Sequence, residues 1–240
     1  PHHSSSAVAL IGGGSNPKPG EVTLAHRGVL FLDEFPEFPR QVLESLRQPL
    51  EDGTITVARI KHTATFPAKF TLVAAQNPCP CGHLKDRHKE CICSPGQIFK
   101  YRRKISGPLL DRIDLSIEVP AVTFDHLIAD DKDAAEATKR LREKICAARE
   151  RQQQRFANER IYSNAEMNMR HIKEFCAIDA ATTDLLRAAA LKFGFSARSY
   201  HKILRVSRTI ADLDGQDAIA LLHVAEALQY RQEAMEDSKL

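Results

Sequence analysis

The stretch Gly28-Val29-Leu30-Phe31-Leu32-Asp33-Glu34 places four consecutive large apolar residues directly before two carboxylates. A continuous apolar run of this length is typical of a buried parallel strand with helices on both faces. In open α/β sheets, ligands bind beyond the carboxyl ends of such strands. We therefore predict that Asp33 and Glu34 lie at a phosphate-binding edge, where Asp33 holds a hydrated Mg²⁺ and Glu34 orients and deprotonates an attacking water.

This arrangement has the form of a Walker B motif. The alternative is a buried strand whose acidic end only caps the turn into residues 35–39. A second apolar run, residues 70–75, predicts another buried core strand, and Asn77 follows its end. The Asn77 amide can hydrogen-bond a terminal phosphate or the attacking water, although Asn before Pro also forms turns.

The phosphate-binding loop that usually accompanies a Walker B strand does not occur in this sequence. A Walker A motif needs Gly, four residues, then Gly-Lys-Ser/Thr, and no such string exists in the 240 residues. The glycine-rich segment near residues 12–20 instead predicts a flexible loop or insertion. The chain also opens at Pro1 without a Met, and we interpret it as an internal fragment that holds half of a nucleotide site.

A β-hairpin is predicted between the two apolar runs. Residues 54–60 alternate as a half-exposed strand should, and residues 65–66 begin the return. Arg59, Lys61 and His62 then lie near the hairpin tip. The tip is either a solvated polar turn or a nucleic-acid loop that makes sequence-independent phosphate contacts.

Four of the six cysteines cluster in a short segment, as Cys79-Pro80-Cys81 and Cys91-Ile92-Cys93. Four thiolates on one loop can form a tetrahedral Zn²⁺ site, with His83 and His88 as spare ligands. The spacing within each pair differs from that of a zinc ribbon, so free or redox-active thiols are the alternative.

Arg112 precedes residues 115–119, which predict a short strand. An exposed Arg at this place can act as an arginine finger, because its permanent planar charge stabilises the γ-phosphate of a neighbouring subunit in the transition state. Pairing with Asp111 or Asp114 is the structural alternative.

From Pro120 onward helical patterns dominate. A long charged helix over residues 134–156 has an apolar stripe of Leu141, Ile145, Ala148 and Phe156. The further predicted helices are Met169–Phe175, 182–193, Ala197–Leu213 and 217–230. Ser196 suits an N-cap and puts Arg198 in the first turn, where the helix dipole disfavours a cation and an anionic partner would favour it.

Composition indicates a soluble globular protein. The net charge of +3 is nearly neutral, so nucleic-acid contacts would come from local patches. No apolar run reaches the roughly 18 residues that a membrane span needs, and no signal peptide is evident. We expect a cytoplasmic protein with no membrane partner.

Taken in order, these features resemble the magnesium-chelatase-like group of AAA+ ATPases over almost the whole chain. The strings that carry the resemblance are Pro1-His2-His3 and residues 28–38, 48–53, 77–82, 106–115 and 196–213. The implied fold is an α/β AAA+ core, with a parallel sheet flanked by helices, followed by an all-helical lid. The implied domains are residues 1–120 for the core, 121–160 for a linker with the long helix, and 161–240 for the lid.

The resemblance also implies roles for single residues. Asp33 and Glu34 are similar to Walker B, Asn77 to sensor 1, Arg112 to the arginine finger and Arg198 to sensor 2. ATP and Mg²⁺ are the implied cofactors, with a structural Zn²⁺ on Cys79, Cys81, Cys91 and Cys93 as a further candidate. The Walker A loop is expected upstream of Pro1, so the chain alone is expected to be inactive.

The implied assembly is a homo-hexameric ring that handles single-stranded or branched DNA, with helicase or branch-migration activity in recombination during natural transformation. The hairpin with Arg59, Lys61 and His62 is similar to a pre-sensor-1 hairpin that lines a DNA channel. The glycine-rich segment, which includes Lys18, is similar to a second pore element, the helix-2 insert. The alternatives are a chelatase motor that drives metal insertion into a porphyrin, and a non-enzymatic zinc-stabilised interaction module.

Overall fold

The computed structural model describes residues 1–14, 17–58, 63–84, 86, 89–120 and 132–239. The chain divides into two compact units, Pro1–Ile113 and Asp114–Lys239. Each unit has its own hydrophobic core, one centred on Leu32, Leu43 and Leu46 and the other on Ile203 and Val224.

The first unit mixes short helices and strands. In chain order its elements are α1 Ala7–Ile11, β1 Gly12–Gly13, β2 Lys18–Pro19, α2 Glu21–Leu24, β3 Val29–Leu32, α3 Arg40–Ser45, α4 Arg47–Asp52, β4 Thr54–Ala58, β5 Thr63–Pro67, β6 Thr71–Ala74, α5 Pro95–Arg102 and α6 Gly107–Leu110. A single 3₁₀ turn, Phe35–Glu37, follows β3.

Strands β3 and β6 form a parallel pair, as predicted, with Val29 opposite Thr71 and Leu32 opposite Ala74. Leu30 and Leu32 are buried, whereas Val29 is 62% exposed and Phe31 is 52% exposed. The expectation that helices cover both faces is therefore wrong for the described residues. Successive strand residues point to opposite faces, and the helices of this unit pack on only one of them. For the same reason β6 is largely exposed rather than buried.

The predicted hairpin is present. Strand β4 pairs antiparallel with β5, and Ile55, opposite Phe66, is buried in the core of the first unit. The tip residues Arg59, Lys61 and His62 lie outside the described residues.

The described residues of the glycine-rich segment, 12–14 and 17–20, are more ordered than the expected flexible loop. Strands β1 and β2 pair antiparallel, with Gly13 opposite the exposed Lys18. Gly12 has φ +100°, and a Cβ there would lie 2.4 Å from the Lys18 carbonyl oxygen. Only glycine fits this close approach.

In the described residues of the second unit the regular structure is helical: α7 Lys132–Arg155, a 3₁₀ turn Asn164–Glu166, α8 Met169–Phe175, α9 Ala180–Phe193, α10 Ala197–Leu213 and α11 Leu221–Lys239. The bounds of α8 and α10 match the prediction. Within the described ranges no helix is both long and apolar enough to cross a membrane.

Two expectations for the second unit are wrong. Residues 115–119 form no strand; the Ser116 N–H donates to the Tyr230 carbonyl at 2.8 Å, and Val119 is 80% exposed. The apolar stripe of α7 is buried only toward its end, where Ala148 and the following Phe156 pack. Leu141 and Ile145 are 61% and 52% exposed, because the start of α7 extends beyond the apolar core of this unit.

Candidate nucleotide site and four-cysteine cluster

Asp33 and Glu34 are both exposed at the carboxyl end of β3. Asp33 Oδ1 accepts the Glu34 N–H at 2.8 Å, which fixes the Asp33 side chain against the backbone. Glu34 has φ 51° and ψ 44°, a left-handed conformation that is uncommon for a residue other than glycine. Such backbone strain is often found at functional sites, where the surrounding structure holds it in place.

His3 contacts the carboxylate of Glu34. His3 Nδ1 lies 2.7 Å from Glu34 Oε2, and the His3 ring packs edge-on against Phe38 with centroids 6.5 Å apart. The Pro1-His2-His3 string therefore reaches the end of β3. Sequence reasoning assigned no role to His3, because no local pattern relates it to a residue so far along the chain.

The end of β6 lies beside the end of β3. The Ala75 N–H donates to the Leu32 carbonyl, and the Phe35 N–H donates to the Ala75 carbonyl, each at 2.9 Å. The ladder thus continues past both strands and places the segment that leads to Asn77 beside Asp33 and Glu34. Carboxylate and amide groups at one sheet edge suit binding of a hydrated Mg²⁺ and a phosphate.

Arg112 is held inside its own unit. Its Nε donates to the Arg47 carbonyl at 3.1 Å, its NH1 donates to the Pro108 carbonyl at 2.6 Å, and Nε lies 3.3 Å from Glu51 Oε2. The side chain is only 13% exposed, which differs from the expected exposed finger. Glu51 at the end of α4 was not singled out from the sequence.

Arg198 lies in the second unit, in the first turn of α10. The predicted cap is confirmed, because Ser196 Oγ accepts the Ser199 N–H at 3.1 Å. Arg198 is partly buried. Asp33, Glu34, Asn77 and Arg112 all belong to the first unit.

The four clustered cysteines meet in space. Cys79 Sγ lies 3.4 Å from Cys81 Sγ and 3.7 Å from Cys91 Sγ, and Cys81 and Cys91 Sγ are 3.6 Å apart. All four Sγ atoms, including that of Cys93, lie within 4.8 Å of one another. A tetrahedral site with Zn–S bonds of about 2.3 Å needs sulfurs about 3.8 Å apart, so these thiols fit Zn²⁺.

The thiol pKa values show how crowded the sulfurs are. The backbone N–H of His83 hydrogen-bonds Cys81 and lowers the pKa of its thiol to about 6. A backbone hydrogen bond at Cys93 acts in the same direction on Cys91, but desolvation and the neighbouring thiols outweigh it and raise the pKa of Cys91 to about 12. A second thiolate beside the first is unfavourable unless a cation neutralises the charge.

The fold and these sites define a class: a pair of parallel strands with an acidic strand end beside a polar strand end, followed by a helical unit, as in AAA+ proteins. The family model described as "Magnesium chelatase, subunit ChlI" matches residues 1–127, and the model of its C-terminal region matches residues 135–231. The chain belongs to this magnesium chelatase ChlI family.

Individual relatives support the same assignment. The chain is 49% identical to "Competence protein ComM" of Haemophilus influenzae and 42% identical to "Uncharacterized protein YifB" of Escherichia coli, each over 96% of this chain and 44% of the relative. It is 30% identical to "DNA replication licensing factor mcm6" of Dictyostelium discoideum, over 43% of this chain and 11% of that protein. The chain thus spans less than half the length of ComM and YifB.

Proposed function

We propose that this chain is part of a hexameric AAA+ ATPase that couples ATP hydrolysis to movement along single-stranded or branched DNA, in recombination during natural transformation. The observation that carries the proposal is the pairing of β3 with β6, which brings Asp33 and Glu34 beside the segment that ends at Asn77. Membership of the magnesium chelatase ChlI family supports ATP as the nucleotide.

The residues have separate roles in this proposal. Asp33 would hold Mg²⁺, which neutralises phosphate charge when bound, and Glu34 would deprotonate the attacking water. Asn77 would align the γ-phosphate or that water. Arg112 would act on the nucleotide of a neighbouring subunit, and Arg198 on that of its own.

The DNA-binding part of the proposal depends on basic residues and on relatives. Lys18 is exposed on β2, and Arg59, Lys61 and His62 follow β4 in sequence. The names of two relatives refer to competence and to DNA replication. We assign these four side chains to sequence-independent phosphate contacts, whose affinity falls as salt rises.

Glu34→Gln in the full-length protein tests the enzymatic role. The substitution keeps the shape of the side chain and removes the base, so hydrolysis should fall at least about 100-fold while ATP binding persists. The measurements are steady-state ATPase rate and nucleotide affinity. Glu136→Gln is the matched control, because Glu136 lies on the exposed start of α7 and pairs only with Arg140 among the contacts seen there. Unchanged hydrolysis in Glu34→Gln would overturn the catalytic assignment.

A chelatase motor is the second candidate, favoured by the description of the matching family. The same assays separate the two. DNA should stimulate the ATPase of the proposed translocase and bind in a salt-dependent way, whereas a chelatase motor should show neither effect.

A further inference from the structure

The four-cysteine cluster lies in a loop that begins at Asn77, the candidate sensor 1 residue. The chain leaves β6 through Asn77, passes Cys79 and Cys81, and returns through Cys91 and Cys93 to Ser94, the N-cap of α5. The Ser94 side chain accepts the Gln97 N–H, and the Ser94 N–H donates to Gln97 Oε1 at 2.8 Å. Because of this capping box, the cysteine cluster is attached directly to a fixed helix start.

The side chain of Tyr101 in helix α5 contacts the start of this loop at Asn77. Tyr101 is 6% exposed, and its phenolic oxygen accepts a hydrogen bond from the Asn77 backbone. Desolvation raises the pKa of Tyr101, with further contributions from the nearby carboxylates Glu37 and Glu34. The Tyr101 hydroxyl therefore lies close to the Asn77 backbone and within electrostatic reach of Glu37 and Glu34.

Lys104 makes a second contact, with the ring of Tyr101. Lys104 Nζ lies 2.8 Å from Glu37 Oε2 and 5.4 Å from the centre of the Tyr101 ring. Glu37 belongs to the 3₁₀ turn that follows Asp33 and Glu34. Asn77 is thus connected, through Tyr101 and Lys104, to Glu37 in the turn that follows Asp33 and Glu34.

We propose that Tyr101 and the metal-bound cysteine cluster together position Asn77 against the β3 carboxylates. The segment from Asn77 through the cysteine loop and α5 to Tyr101 is held together by two contacts. One is the cluster of four thiols, and the other is the hydrogen bond between Tyr101 and the Asn77 backbone. Metal bound to Cys79, Cys81, Cys91 and Cys93 orders the loop, since binding energy at such sites is also folding energy. Tyr101 is a positioning residue, and the catalytic meaning of this coupling rests on the proposed function of Asn77.

The test uses the 240-residue chain, Zn²⁺ and amide NMR. Zinc content by elemental analysis should be one ion per chain, and it should be lost in Cys91→Ser. Chelation of zinc should shift or broaden the Asn77 backbone resonance, and Cys91→Ser should reproduce that change. Cys146→Ser is the matched control, because Cys146 is an exposed thiol in the second unit. Absence of zinc binding, or an Asn77 resonance that does not change when zinc is removed, would overturn the inference.

Tyr101→Phe separates the effect of the Tyr101 hydrogen bond from the effect of metal binding by the cysteines. It should leave the zinc content at one ion per chain and still move the Asn77 resonance. Circular dichroism on each sample distinguishes this local change from unfolding of the unit. An unmoved Asn77 resonance in a folded Tyr101→Phe chain would remove Tyr101 from the proposal.

Activity gives an independent readout in the full-length protein. Tyr101→Phe should lower kcat by roughly tenfold, with the KM for ATP nearly unchanged, because it displaces a group that acts after ATP has bound. If Glu34→Gln abolishes hydrolysis and Tyr101→Phe has no effect, the positioning role fails and the ATPase assignment stands. If the Asn77 resonance responds to zinc but Glu34→Gln hydrolyses ATP normally, the coupling stands and the ATPase assignment fails.

Discussion

Arg112 illustrates how contacts constrain a single candidate residue. Two backbone carbonyls and Glu51 hold its guanidinium, and the planar fork of Arg suits this arrangement in a way that the ammonium of Lys does not. If Arg112 acts on a neighbouring subunit, these contacts fix the direction from which it approaches.

A mixing experiment tests this action between subunits. Arg112→Ala and Glu34→Gln should each abolish ATPase activity alone in the full-length protein. Mixed assemblies should recover part of the activity, because some interfaces then combine an intact Glu34 with an intact Arg112 from the neighbour. The recovery should depend on the mixing ratio, and no recovery at any ratio would contradict an action in trans.

At the level of single residues, the sequence predicted side chains that follow strand ends and missed their long-range partners. The Asp33-Glu34 pair and Asn77 were predictable because the carboxyl ends of parallel strands share one edge of a sheet. His3, Glu51 and Tyr101 were not, because each contacts a residue far away in the sequence and carries no local pattern. Their positions depend on how the short helices of the first unit pack.

Among the elements, helices with strong caps were the most predictable. Ser196 and Asn168 cap α10 and α8, and the predicted bounds of both helices are confirmed. Helix α9 begins earlier than predicted, at Ala180, because Asp179 is its N-cap and accepts the Thr182 N–H at 2.8 Å. Residues 115–119 have strand-like composition, but no strand among the residues that the structure describes pairs with them.

The Asp179 cap leads to a pH-dependent prediction for α9. Hydrogen bonding from Thr182 lowers the pKa of Asp179. Its contribution to stability is therefore complete above the unfolded pKa of about 3.9 and is lost as pH falls through the lower folded pKa. Asp179→Ala should lower the melting temperature by about 3 °C at pH 7, and this difference should narrow below about pH 4. Thermal unfolding monitored by circular dichroism measures it.

Asp179→Asn is the control for charge. Asn also caps helices, so this variant should melt close to the unmodified chain at pH 7. A difference between the Ala variant and the unmodified chain that stays constant from pH 7 to pH 3 would contradict an ionised cap.

For the whole molecule, two separate cores predict two unfolding events. The second unit has an internal polar centre, since Asp212 is buried and accepts hydrogen bonds from Arg155 and Asn164, with Arg208 NH2 3.1 Å away. The sequence did not indicate this centre, because Arg155 lies in a different helix. The family match spans both units, but it does not reveal which charges the second core buries.

Asp212→Asn should destabilise only the second unit. The substitution leaves the buried charge of Arg208 and the Arg155 guanidinium poorly compensated, at a cost of about 3 kcal/mol. Calorimetry should show one transition shifted down and the other unchanged. Asp217→Asn is the control, because its side chain is 99% exposed and its surface pair with Arg151 should contribute little to stability. A single transition that shifts as a whole would contradict two independent units.

Because Glu34 has a left-handed backbone conformation, folding stability and catalytic activity favour different residues at this position. Glycine occupies φ 51° without a steric penalty, so Glu34→Gly would relieve strain while removing the carboxylate. Selection for folding alone therefore favours losing the side chain that the proposed chemistry requires. Natural proteins sit near a stability threshold, and engineering that scores only stability would tend to erase such a residue. Under the proposed function, turnover requires the carboxylate that stability alone would replace with a hydrogen.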